Sequence, residues 1–138
     1  MTDQTSGFSG TQIIKKLGIK PDFSVRVVNV PANYWSLLGP LPPNVHVSSE
    51  GEMELDFIHI FASTLSGMQE SVISLKTNLK KDGMMWISWP KGSSGITTDL
   101  NRDIIRAFIL QTELVDIKVC AIDETWFGLK FVFRKEFR

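Results

Sequence analysis

Apolar residues along the chain form two alternating kinds of block: short continuous runs, and longer stretches with helical spacing. SVRVVNV (24–30), LDFIHIFA (55–62) and GMMWISW (83–89) are short and rich in β-branched or aromatic residues, so they predict buried strands. LDFIHIFA is apolar nearly throughout, as a strand covered on both faces should be. A further short strand is predicted around 45–48, after the stiff connector LPP. In TLSGMQESVISLKTNLKKDG, Leu65, Met68, Val72, Leu75 and Leu79 share one stripe. That spacing predicts a helix opened by Ser63 or Thr64 and closed at Lys80, Lys81 and Gly83. DLNRDIIRAFILQTEL predicts a second one, with Leu100, Ile104, Ile105, Phe108 and Ile109 inward. Two brief helical pieces precede them. FSGTQIIKKLGIKPD has Ser9 and Gln12 at capping-box spacing and Gly18 as terminator, with Pro21 beyond; PANYWSLLGP stops at Gly39-Pro40. VDIKVCAIDE and TWFGLKFVFR read as an antiparallel hairpin turning near Asp123 and Glu124.

Strands alternating with helices imply a mainly parallel sheet with helices on both faces, wrapped by right-handed crossovers. The chain has 138 residues and no internal repeat. It is expected to form a single α/β domain over 8–138, behind a small, polar, disordered tail at 1–7.

Composition narrows the partners. Fifteen basic residues balance fifteen acidic ones, whereas nucleic-acid binders gain much of their affinity from a basic excess. No nucleic-acid partner is therefore expected. A single cysteine, Cys120, fits a reducing compartment. No apolar run approaches the ~20 residues that span a bilayer, and the first residues lack a secretory pattern. The expectation is a cytoplasmic protein with no membrane partner. Two histidines, His46 and His59, with one cysteine give no metal-ligand spacing, so no metal site is expected.

The hairpin, preceded by helix-LKKDGMMWISW-loop-helix, resembles the C-terminal half of class I S-adenosylmethionine-dependent methyltransferases. More of the chain resembles a family of short bacterial proteins of unknown function, through FSGTQIIKKLGIKPD, LLGPLPPNV, WPKGSSGITTDL and LVDIKVCAIDETWFGLKFV. The resemblance implies a Rossmann-like, truncated methyltransferase-type fold: a mostly parallel six-stranded sheet of order 2-1-3-4-6-5 with a C-terminal antiparallel hairpin. It brings no activity with it.

The methyl donor would need a glycine-rich turn after the first strand, where bare backbone approaches the ligand. VNVPANYWSLLG offers Pro31, Ala32 and Asn33 instead, and its first glycine is Gly39. Glu50 or Glu52 could serve as an acidic ribose partner. No bound cofactor is expected on this reading. A small anionic ligand is better placed beyond the fourth strand, at the carboxyl ends where open sheets bind ligands. Lys91, Ser93, Ser94, Thr97 and Thr98 lie there, and Asn33, Ser63 and Thr64 follow neighbouring strands. The same residues could equally form turns and caps, with Thr97, Thr98 or Asp99 capping the second long helix. Cys120 and His59 sit in apolar strands, where an inert thiol and a hydrogen-bonded core imidazole are the ordinary outcomes. Adjacent Asp123 and Glu124 would point apart rather than act as an acid/base pair. No catalytic residue stands out. The leading expectation is a non-catalytic domain that binds a small ligand or interacts with protein, either a partner or a second copy of itself as a homodimer. Its rivals are a methyltransferase with an atypical cofactor site and an enzyme acting on a phosphorylated metabolite at 91–98.

Overall fold

A computed structural model of the chain describes residues 12–48 and 54–138. The tail at 1–7, Ser9, Glu50 and Glu52 lie outside the described residues. Elements follow in the order α1 (Ile13–Leu17), β1 (Ser24–Val28), α2 (Tyr34–Leu38), β2 (His46–Val47), β3 (Leu55–Phe61), α3 (Leu65–Lys76), β4 (Leu79–Pro90), α4 (Arg102–Ile109), β5 (Leu114–Ala121) and β6 (Trp126–Phe133). The strands form one sheet of order β2-β1-β3-β4-β6-β5. The β2–β1, β1–β3 and β3–β4 pairs are parallel, and β6 is antiparallel to both of its neighbours. This is the Rossmann-like, methyltransferase-type topology expected from the hairpin.

Alternation along β3 and β4 builds two cores. Ile58, Ile60, Met85 and Ile87 pack with Met68, Val72 and Leu75 of α3 and with Ile105 and Ile109 of α4. Phe57, Phe61 and Trp86 pack on the other side with Ile14 and Leu17 of α1 and with Tyr34 and Leu38 of α2. Helices therefore lie on both faces, and burial of each large side chain contributes about 1.5–3 kcal/mol. Trp86 also donates its indole N–H to the Leu17 carbonyl at 2.9 Å, which fastens α1 to the sheet.

Three element boundaries differ from the sequence reading. The helix α3 stops at Lys76, so Lys80, Lys81 and Gly83 belong to β4 and do not terminate a helix. Leu79 is buried as expected, but from the strand. A Cβ on Gly83 would stand 3.0 Å from the Asp56 carbonyl oxygen, so this glycine permits close strand contact beside the β3 bulge. The helix α4 begins at Arg102, and its cap is Asn101, whose side chain accepts from the Ile104 N–H at 2.8 Å. Thr97, Thr98 and Asp99 therefore do not cap it. Leu100 is buried from the preceding loop.

Candidate functional site

The carboxyl ends of β1, β3 and β4 carry the loops from which a ligand site would be built. The 91–101 loop is bound to the β3–α3 junction. Thr98 donates its hydroxyl to the Ser63 carbonyl at 2.6 Å, and the Asp99 carboxylate accepts from the Leu65 N–H at 2.8 Å. Thr64 accepts from the Gly67 N–H at 3.1 Å. Two of the free donors at the start of α3 are thereby satisfied, and a carboxylate stands at its positive end. An incoming anion would have to displace or oppose Asp99. Ser94 accepts from the Ile96 N–H at 3.1 Å within its own turn. Ser93 and Thr97 are exposed. The Lys91 ammonium lies 5.2 Å from the centre of the Phe127 ring, a cation–π arrangement. The structure thus brings Ser63, Thr64 and Thr98 together. Asn33 is exposed before α2, where its carbonyl accepts from the Ser36 hydroxyl and the Leu37 N–H.

The turn leaving β1 has a definite shape. Asn29 adopts a left-handed conformation (φ 57°), Pro31 has no N–H, and the Pro31 carbonyl accepts from the Tyr34 N–H at 3.0 Å. Tyr34 is fully buried, and its hydroxyl lies 3.0 Å from His59 Nδ1. His59 Nε2 lies 2.8 Å from the Ser88 hydroxyl. A relay of three buried polar side chains thus joins α2, β3 and β4. Burial pushes the His59 imidazole down to about 3 and raises the Tyr34 phenol. His59 is a core histidine with both ring nitrogens engaged. The backbone at this turn is committed to holding α2 and presents no bare amide cradle.

A pocket of about 730 Å³ opens beside α2. Ile13, Leu37 and Ile122 give it an apolar floor, while Lys16, Lys91 and Glu124 supply charge. Its walls come from α1, the end of α2, the start of the 91–101 loop and the β5–β6 turn. Asp123 also lines it, but its carboxylate caps that turn by accepting from the Thr125 and Trp126 N–H groups at 2.8 and 2.9 Å. Apart from Lys91, no local motif marks these residues, because folding alone brings the start of the chain to the end of β4 and the β5–β6 turn. Cys120 is half-buried, and desolvation raises its thiol despite the charges of Lys16 and Lys118. Among the described residues no cluster of potential metal ligands occurs, and no helix is long and apolar enough to cross a membrane.

No family model and no curated protein sequence matches the chain. Solved structures do. It is similar to a SAM-dependent methyltransferase from Aquifex aeolicus, at 15% identity and TM-score 0.63, with 88% of each chain covered. A DhpI–SAH complex gives 8% identity and TM-score 0.62, covering 90% of this chain and 83% of that one. A ribosomal protein L11 methylase from Lactobacillus delbrueckii subsp. bulgaricus gives 10% identity and TM-score 0.55, covering 88% and 75%. At such identities the likeness establishes the fold: the chain has the architecture of class I S-adenosylmethionine-dependent methyltransferases.

Proposed function

We propose that this domain holds an S-adenosyl compound in the pocket between α1, α2 and the β5–β6 turn, as a methyltransferase with an atypical cofactor site. The observation that carries the reading is the pocket itself, at the ligand-binding end of a methyltransferase-type sheet. Its volume falls within the ~300–1,000 Å³ usual for small-molecule sites. The chemistry of its lining suits an amphipathic zwitterion. Ile13, Leu37 and Ile122 offer apolar contact to a purine, Glu124 an acceptor for ribose hydroxyls or an ammonium, and Lys16 a cation for a carboxylate. The turn after β1 does not fit the nucleoside, for the reasons of backbone and Tyr34 packing given above. S-adenosylmethionine would supply an electrophilic methyl group; the protein's part would be to orient it and keep water away.

The Tyr34–His59–Ser88 relay favours a second reading, a non-catalytic domain that keeps the fold for ligand sensing or protein interaction. It fills the region beside β1 with packed side chains. The fold comparisons bear more directly on the first reading. Titration with S-adenosylhomocysteine by calorimetry, alongside thermal unfolding, separates the two. Saturable binding that stabilises the fold by about 2.7 kcal/mol at a hundredfold excess over Kd, and is lost in Leu37→Trp, is the expected result. No heat and no change in Tm with either donor or product would overturn the first reading and leave the second.

A further inference from the structure

The face of the hairpin that carries Cys120 also carries Lys118 and Lys130, directly opposite each other across the β5–β6 pair. Like charges so placed destabilise a sheet. Lys20 adds its charge to that of Lys118 at the half-buried Lys130 ammonium. Lys16 acts with Lys118 on Cys120. The four lysines gather at the C-terminal end of α1. Lys118 Nζ donates to the Lys16 carbonyl at 3.4 Å, and Lys130 Nζ lies 3.9 Å from where a Cβ on Gly18 would stand. Among the described residues, ion pairs engage Lys76, Lys80, Arg102 and Arg106, and none of these four. The carbonyl of Lys16, at the end of a five-residue helix, accepts from Lys118; among the described residues no carboxylate forms an ion pair with any of the four.

A cationic cluster with no carboxylate partner among the described residues, in a chain of zero net charge, carries a repulsion that a bound anion would relieve. Lysine ammonium groups bind phosphate as point charges and tolerate varied geometry. We propose that Lys16, Lys20, Lys118 and Lys130 form a binding site for the phosphate group of a small phosphorylated molecule. Lys16 also lines the pocket, so the phosphate site opens into it. The inference does not depend on the methyl donor, and it moves the anion site away from the 91–98 loop, where Asp99 opposes negative charge.

The test uses pyrophosphate and inorganic phosphate as probes, at constant ionic strength, with the whole chain. Pyrophosphate should raise Tm saturably, and by more than orthophosphate. Lys118→Gln and Lys130→Gln should each keep or raise the Tm of the free protein, because cross-strand repulsion is relieved. Each should also weaken pyrophosphate binding by roughly tenfold, as loss of one charge-assisted contact implies. A variant that loses stability together with binding would mark the lysines as structural and overturn the proposal. So would a pyrophosphate response that is absent from the native chain or survives in the double variant. Tighter binding of a single-stranded oligonucleotide, with a steep salt dependence, would replace the small molecule by a polyanion and also overturn it. The S-adenosylhomocysteine titration is a separate measurement, so either proposal can fail alone.

Discussion

Acid should destabilise this domain through one identifiable side chain. His59 is fully buried, bonded on both ring nitrogens, and held neutral with its pKa lowered from 6.5 to about 3. In the unfolded chain the same imidazole takes up a proton near pH 6.5. Below that pH the unfolded state binds more protons, so stability falls as pH falls, at about 1.4 kcal/mol per pH unit. The stabilisation is fully present above pH 6.5 and is lost progressively toward pH 3. The complete loss amounts to about 5 kcal/mol, of which about 2 kcal/mol has gone by pH 5. Carboxylates titrate in part of the same range, so the comparison is with His59→Gln, which keeps a donor and an acceptor but cannot be protonated. Urea unfolding of both proteins at pH 7 and pH 5 gives the two stability differences. The variant should be the less stable at pH 7, and the gap should close by about 2 kcal/mol at pH 5. A gap equal at both pH values would refute the claim that this imidazole stays neutral in the folded state.

Gly128→Ala should cost about 1–3 kcal/mol in urea denaturation, because its Cβ would meet Ile122 Cδ1 at 2.8 Å and Trp86 Cε3 at 3.1 Å in the closed core. Equal stability of the two proteins would show that Ile122 moves aside freely. Asp99→Ala should cost about 1 kcal/mol by removing the acceptor of the Leu65 N–H. Its effect should appear in hydrogen exchange as faster exchange in the first turn of α3, with the first turn of α4 unchanged; the reverse pattern would assign the cap to the wrong helix.

Topology was legible wherever one kind of apolar spacing gave way to another. Three buried runs and a hairpin, read with the methyltransferase resemblance, specified the sheet order, because few wrappings satisfy right-handed crossovers and an antiparallel last strand. Boundaries were less legible at the end of α3. Leu79, Lys80, Lys81 and Gly83 continue a helical stripe and look like a terminator, yet Leu79 pairs with Leu55 in the sheet. Tertiary pairing there overrides a local pattern that fits either element. The histidine in LDFIHIF was readable as a satisfied core residue, although its partners were not, since Tyr34 and Ser88 lie 25 and 29 residues away. The loop residues Ser63, Thr64 and Thr98 could be placed at the strand ends from order alone. The pocket could not, because Lys16, Leu37 and Ile122 belong to elements that meet only after folding.

Asp99 holds the first residue of α3, and Thr98 the strand-to-helix junction just before it, each more than thirty residues earlier in the chain. That cross-bracing limits where new specificity can be bred into this scaffold. Randomising 98–101 would penalise most library members, through fraying of α3 at Asp99, loss of the buried Leu100 and uncapping of α4 at Asn101, before any novel contact could be selected. The exposed positions 92, 93, 96 and 97, outside that brace and clear of the left-handed Gly95, are where diversity can be introduced with the least damage to folding.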